Sequence, residues 1–238
     1  MNVIIFGHGS AGKYYSSILL KNKNIKKIFI IDKIKQKISS KKINQISYKE
    51  FINNKIQASH AMICTPSGEH FKYANACIKR NIHALIEKPF VLKLNEAKKL
   101  IKISSKKKIK CWTALQNRYN KAIIRLKKKV NNLGPKKISL IDCSLFWNRS
   151  KKYYSNNWRG KYSSDGGVLT NQAIHLLDSL IYIFGEIENF NVMVDFNEKK
   201  LQAEDQVLIN FRHKNNIISS FKATTRANQN YQVSIDVI

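Results

Sequence analysis

Short, mostly apolar runs alternate with stretches of helical periodicity through the first half of the chain. The runs occupy residues 3–6, 28–31, 61–64, 83–86 and 109–113. Each is strand-length and the first two are rich in isoleucine, which predicts strands covered on both faces. Between them, residues 14–20, 67–79 and 94–103 read as helical segments. Strand and helix alternating this regularly predict an α/β domain built on a doubly wound parallel sheet. From about Gln116 the pattern changes. A basic helix at 122–130 leads through Gly134-Pro135 into longer segments that alternate as antiparallel strands do, at 137–146, 188–196, 206–211, 217–223 and 231–237. One helix, 170–184, interrupts them and stops at Gly185. These segments predict a second, α+β domain with a mainly antiparallel open sheet, and the division falls at residues 1–116 and 117–238.

The turn after the first strand carries the first sign of chemistry. Gly7-His8-Gly9-Ser10-Ala11-Gly12 follows a strand, opens a helix, and is answered twenty positions after Gly12 by Asp32 at the end of the next strand. That is the context in which G-x-G-x-x-G becomes the dinucleotide-binding (Rossmann) fingerprint. Gly7 permits the turn, Gly9 lets the backbone approach a pyrophosphate, Gly12 lets helix and sheet pack, and the helix amides beyond Gly9, at Ser10 and Ala11, hold the anion. Asp32 would accept hydrogen bonds from the adenosine ribose and repel a 2′-phosphate, so NAD is favoured over NADP. Lys33 beside it weakens that preference. Thr65 and Pro66 leave the strand at 61–64 and are expected near the nicotinamide half of the cofactor. Two settings stay open for His70, a cofactor-facing side chain or a solvent-facing residue of the first helical turn.

Two further stretches suggest proton transfer. Glu87-Lys88-Pro89 closes the strand at 83–86, and Pro89 stops that segment from continuing as a helix, leaving Lys88 at the carboxyl end of a strand where open α/β sheets hold ligands. Gly166-Gly167 feeds the helix at 170–184, on which Asn171, His175 and Asp178 fall at i, i+4 and i+7 and hence on one face. An amine and an imidazole facing one pocket suit acid–base work.

Charge and cysteine usage narrow the classes. The 238 residues carry 43 lysines and arginines against 15 acids, a formal charge of +28. A nucleic-acid partner would be the first thought. The basic residues are nearly all lysine, however, and are spread along every surface segment without a stripe, so no specific nucleic acid is expected and weak attraction to polyanions at low salt is. Cys64, Cys77, Cys111 and Cys143 form no C-x-x-C pair, which argues against zinc or a disulfide framework and for a reducing, cytoplasmic setting. No signal-peptide pattern opens the chain and no apolar run approaches spanning length.

Gly7-x-Gly9-x-x-Gly12, Cys64-Thr65-Pro66, Glu87-Lys88-Pro89, Gly166-Gly167 and Asn171-x-x-x-His175-x-x-Asp178, in this order, together resemble the glucose-fructose oxidoreductase and inositol dehydrogenase (Gfo/Idh/MocA) family. The resemblance implies a Rossmann domain followed by an open antiparallel sheet, and oxidation or reduction of sugars and cyclitols with NAD or NADP. It assigns Lys88 and His175 as the catalytic pair and adds Glu87 to the cofactor residues. Phe146-Trp147-Asn148-Arg149, Tyr153-Tyr154 and Trp158-Arg159-Gly160 look most like the branch that oxidises C3 of UDP-N-acetylglucosaminuronate for polysaccharide synthesis. That likeness implies a nucleotide-sugar substrate met by Lys88, Arg159, Asn171 and His175. Asn171 stands where many relatives have aspartate, which implies a histidine oriented by an amide and a larger share of the proton chemistry for Lys88. Trp158 and Tyr154 are alternatively loop packing, and Asp178 is expected to hold the helix. The family usually continues beyond residue 238; a naturally short form, a gene fragment and a partial product all fit. In a full-length form the second-domain sheet would support a homo-oligomer. A cyclitol or free-sugar dehydrogenase and a non-catalytic sugar or cofactor sensor are the alternatives.

Overall fold

The computed structural model describes residues 1–238 apart from 39, 54–55, 156–157 and 197–200. The chain divides into two compact units, Met1–Ala114 and Leu115–Ile238.

In the first unit the strands are β1 (Asn2–Phe6), β2 (Lys27–Ile31), β3 (Ile43–Gln45), β4 (His60–Ile63), β5 (His83–Ile86) and β6 (Cys111–Thr113). They lie parallel in the order β3-β2-β1-β4-β5-β6. That is the doubly wound order in which the direction of winding reverses beside β1, opening a crevice at the carboxyl ends. Register aligns those ends, with Phe6 opposite both Ile31 and Ile63, and Ile63 opposite Ile86. Alternate residues of β1 explain why both faces read as apolar. Ile4 and Phe6 join Ala61, Ile63, Ala84 and Ile86 beneath the helices α2 (Tyr48–Ile52), α3 (His70–Lys79) and α4 (Leu94–Lys106). Val3 and Ile5 face the other way with Ile28 and Ile30, against Leu19 and Leu20 of α1 (Ser10–Lys21). Full burial of each isoleucine or phenylalanine among them contributes roughly 1.5–3 kcal/mol.

The sequence reading missed β3 and α2. β3 is three residues long with one apolar side chain, too little for a periodic signal. α2 did leave a signature, a capping box in which Ser47 accepts from the Glu50 amide while the Glu50 carboxylate accepts from the Ser47 amide. The expected strand at 109–113 shortens to β6.

The second unit begins with a 3₁₀ turn, Gln116–Tyr119, and continues through α5 (Lys121–Leu133), β7 (Ile141–Phe146), the short α6 (Lys151–Tyr154), α7 (Ile174–Phe184), β8 (Ile187–Asp195), β9 (Gln206–His213), β10 (Ile218–Thr224) and β11 (Gln232–Val237). The sheet order is β11-β7-β10-β9-β8; β7 and β10 run parallel and the other neighbours antiparallel. The expected open, mainly antiparallel sheet is therefore present. One face packs Ile141, Cys143, Leu145, Val207, Ile209, Phe211 and Phe221 against Leu176, Leu180, Ile183 and Phe184 of α7 and Val130 of α5. On β9 the residues between them, Leu208, Asn210 and Arg212, are exposed, while Ser144 of β7 is buried.

Two expectations need correction here. The strand foreseen at 137–146 starts only at Ile141, because Gly134 at φ +75° and Pro135 open a 3₁₀ turn through Lys137. The helix foreseen at 170–184 is two pieces, a π turn at Val168–Gln172 and then α7. The Ala173 amide bonds back to Val168 O at 2.8 Å, five residues earlier.

Candidate functional site

The crevice beside β1 is shaped by three glycines with three different tasks. Gly7 takes φ +80°, and a Cβ there would sit 2.8 Å from Cys64 O. A Cβ on Gly12 would lie 2.1 Å from Gly7 O, so α1 seats directly on the turn. Around Gly9 nothing lies within 4 Å of that position. The first amides of α1, at Ser10 and Ala11, have no helical carbonyl behind them. Open space, free donors and the positive end of a helix dipole together suit an anionic oxygen.

Asp32 leaves β2 beside this turn with its carboxylate pinned. Oδ2 accepts the His8 amide at 2.5 Å and Oδ1 accepts the Ile34 amide at 2.8 Å. A carboxylate so held keeps further lone pairs for two hydroxyls without having to be ordered first. Lys33, its neighbour, is drawn to Glu69 at 2.6 Å, and that partner raises the ammonium pKa.

Thr65 and Pro66 stand where β4 ends, and Thr65 Oγ1 is buried with no hydrogen-bond partner. His70 fits neither expected setting. Its ring is fully buried, with Nε2 2.9 Å from Thr65 O and Nδ1 2.8 Å from Pro89 O. Burial lowers its pKa, and a neutral ring donates to only one of the two carbonyls. It joins the loops after β4 and β5 and has no nitrogen left for a cofactor. The sequence could not show this, since Pro89 lies 19 residues away.

At the end of β5, Tyr15 donates its hydroxyl to Glu87 Oε1 at 2.8 Å. Burial first, and then Glu87, hold that phenol well above its ordinary pKa. Glu87 Oε2 also accepts the Lys88 amide at 3.3 Å, and the Lys88–Pro89 peptide bond is cis. Lys88 is thus half-buried just past a strand end, in the same unit as the glycine turn. Together β1, β2, β4 and β5 gather Gly7, Gly9, Ser10, Ala11, Gly12, Asp32, Thr65, Pro66, Glu87 and Lys88 at one edge of their sheet.

His175 belongs to the second unit, on the first turn of α7. The Gln116 amide Nε2 lies 3.2 Å from His175 Nε2. With the amide oriented so, it donates to Nε2 and favours the ring tautomer protonated at Nδ1. Gln116 was foreseen only as a boundary. The three-residue face expected for Asn171, His175 and Asp178 holds for the last two alone, because Asn171 sits in the π turn, whose wider winding shifts it off the α7 stripe. The Asn171 amide donates to Asp165 Oδ1, and Asp165 Oδ2 accepts the Gly160 amide at 2.8 Å. Asp178 does hold the helix: Arg118 grips it bidentately at 2.9 and 2.6 Å.

Glu204 explains the Gly166-Gly167 pair. Gly166 takes φ +74°. At Gly167 a Cβ would fall 1.9 Å from the Glu204 carboxyl carbon. Glu204 accepts the Val168 amide on its backbone oxygen at 2.7 Å and the Leu169 amide on Oε1 at 3.2 Å. Burial raises its pKa. Arg159 lies with its guanidinium 4.0 Å from the Tyr153 ring centroid and donates to Tyr153 O at 3.2 Å. Trp158 stacks on the same guanidinium at 5.0 Å, and the Tyr154 hydroxyl meets Thr225 Oγ1 at 3.0 Å, so both serve the loop. Among the described residues no helix is long and apolar enough to cross a membrane.

A family model for an oxidoreductase family with an NAD-binding Rossmann fold matches residues 1–115, and one for the GFO/IDH/MocA C-terminal domain matches residues 126–238. A relative, scyllo-inositol 2-dehydrogenase (NADP(+)) of Bacillus subtilis, is 25% identical over 136 residues, 57% of this chain and 37% of its own length. The chain spans about half the length of other curated relatives it matches. Among solved structures, the WlbA dehydrogenase of Bordetella pertussis in complex with NADH and UDP-GlcNAcA superimposes with a TM-score of 0.93 at 23% identity, covering 100% of this chain and 76% of that one. The WlbA enzyme of Chromobacterium violaceum, with the same two ligands, gives 0.89 at 21% identity, covering 100% and 71%.

Proposed function

Because the chain belongs to the Gfo/Idh/MocA family of oxidoreductases, we propose that it is an NAD-dependent dehydrogenase acting on a secondary hydroxyl, C3, of a nucleotide-linked sugar of the UDP-N-acetylhexosaminuronate class. The observation that carries the cofactor reading is Asp32, a carboxylate pinned by two backbone amides beside an open glycine turn. The orphaned Thr65 hydroxyl fits it, as a buried polar atom that a bound dinucleotide would pair. The likeness in fold to two UDP-GlcNAcA complexes supports the sugar-nucleotide class.

NAD, held by the glycine turn and Asp32, would supply the hydride acceptor for a secondary alcohol, whose proton then needs a base. Lys88 Nζ and His175 Nε2 are the bases we assign; the one lone pair of Nε2 takes the Gln116 amide in this structure, and substrate binding exchanges that donor for the sugar hydroxyl. Asp165, through Asn171, and Glu204, through the Val168 and Leu169 amides, fix the backbone that leads into His175. Arg159 and Asn171 are assigned to the substrate.

The test is cofactor reduction over UDP-sugars, free sugars and inositols. Turnover should be greatest with a UDP-N-acetylhexosaminuronate. Lys88→Met and His175→Ala should each lower it by about a hundredfold or more, with NADH binding, followed by its fluorescence, retained. Unaltered turnover in both variants would remove the assignment. The inositol dehydrogenase relative favours a second reading, a cyclitol dehydrogenase, which preferential turnover of an inositol would establish.

A further inference from the structure

Five side chains of the second unit form an alternating stack. The Arg149 guanidinium lies 4.4 Å from the Trp147 ring and 5.4 Å from the Tyr153 ring, while Arg159 lies 4.0 Å from Tyr153 and 5.0 Å from Trp158. A guanidinium laid against an aromatic face has its flat side occupied and its N–H edge turned outward, the orientation in which it grips phosphate or carboxylate oxygens. Neither arginine enters a described ion pair, whereas Arg118 and Arg226 do. Their hydrogen bonds go to neutral acceptors, Arg149 to Asn148 O and Asn230 Oδ1 and Arg159 to Tyr153 O. Arg159 Nε is buried with no partner. Two cations around one phenol ring repel each other, and Lys151 and Lys152 on α6 add to the positive field. A dianion seated on both would offset that repulsion.

We propose that Arg149 and Arg159, spaced by Tyr153, clamp the diphosphate of the nucleotide-linked substrate. Two guanidinium groups match two adjacent phosphates better than one sugar carboxylate. Gln172 ties the clamp to the reacting end of the site: its amide donates to the Tyr153 hydroxyl at 3.2 Å, and it neighbours Asn171 in the π turn that leads to His175. The clamp rests on the nucleotide-sugar reading above and adds Arg149 as a residue that selects for it.

Calorimetric titration with UDP, uridine and free N-acetylglucosaminuronate tests it. UDP should bind at least tenfold more tightly than uridine. Arg149→Met should weaken UDP by about tenfold to a hundredfold, the scale of a charge-assisted hydrogen bond, with uridine and NADH binding retained. Should Arg149→Met fold poorly, Arg149→Lys decides, since a compact ammonium keeps the charge but not the stacked fork; it too should weaken UDP. UDP bound no better than uridine, or equally by the unmodified and variant proteins, overturns the clamp. Arginine-dependent UDP binding by a protein that oxidises no UDP-sugar would keep the clamp and remove the dehydrogenase reading. Turnover of free sugars with UDP indifferent to Arg149 would do the reverse.

Discussion

Gly167→Ala isolates one contact, because the backbone there accepts any residue. Its φ is −102° and ψ −162°, so the substitution adds no dihedral strain and, taken alone, stabilises by about 0.4–1 kcal/mol through the unfolded chain. What it meets is the Glu204 carboxyl, 1.9 Å from the added carbon. That carboxyl ends a flexible side chain and can swing aside, but only by giving up the Leu169 amide it accepts at 3.2 Å. Leaving that half-buried pair unmade costs about 1–3 kcal/mol. At about 2–4 °C per kcal/mol for a chain of this size, Gly167→Ala should melt several degrees below the unmodified protein. In a Glu204→Ala background the obstacle is gone, and the same substitution should be neutral or slightly stabilising. Gly12→Ala is the contrast: its carbon meets the Gly7 backbone oxygen at 2.1 Å, which cannot swing, and Glu204→Ala should not relieve it. Thermal melts of the four members of the Gly167/Glu204 cycle measure the coupling directly. An equal cost of Gly167→Ala in both backgrounds would refute the reasoning.

Three other outcomes follow from named groups. Burial raises the folded pKa of Glu204 above its ordinary 4.5, so as pH climbs past about 4.5 the unfolded chain ionises first and folding loses stability until the folded carboxyl ionises too. The stability of Glu204→Gln relative to the unmodified protein should therefore rise with pH across that window and then level off; a difference that shrinks with pH would contradict the assigned burial. Asp32→Ala should weaken NADH more than NADPH and narrow the gap between them in fluorescence titrations, and tighter NADPH binding by the unmodified protein would overturn the cofactor assignment. On the open sheet, Met193 and Leu208 are register partners and both exposed, so we expect self-association there; light scattering should show a smaller assembly for a Met193→Glu, Leu208→Glu variant, and a monomeric unmodified protein at tens of micromolar would dismiss it.

Local signals made the first unit readable. The isoleucine runs of β1 and β2 are buried on both faces, and the glycine turn and Asp32 obey spacings set by a ligand's dimensions, so their meaning is local. His70 lost that legibility because its partners are carbonyls from two other loops, and nothing in its own neighbourhood announces them. The same limit governed the second unit. Residues 170–184 carry an unbroken helical pattern, yet the first turn belongs to a π turn whose first two amides are taken by Glu204, some 35 residues on.

That long-range hold changes how the histidine should be understood. A continuous helix would have placed Asn171 above His175 and made the amide its natural orienting partner. The π turn instead commits the Asn171 amide to Asp165, which also fastens the Gly160 backbone, and Gln116, 59 residues before His175, supplies the donor at Nε2. An aspartate at position 171 would bring a second carboxylate against Asp165 here, and like charges at hydrogen-bond range would repel or force one to hold a proton. Asparagine at 171 is thus matched to the buried Asp165 within this chain. The donor that meets His175 Nε2 therefore comes from the segment that opens the second unit and not from Asn171.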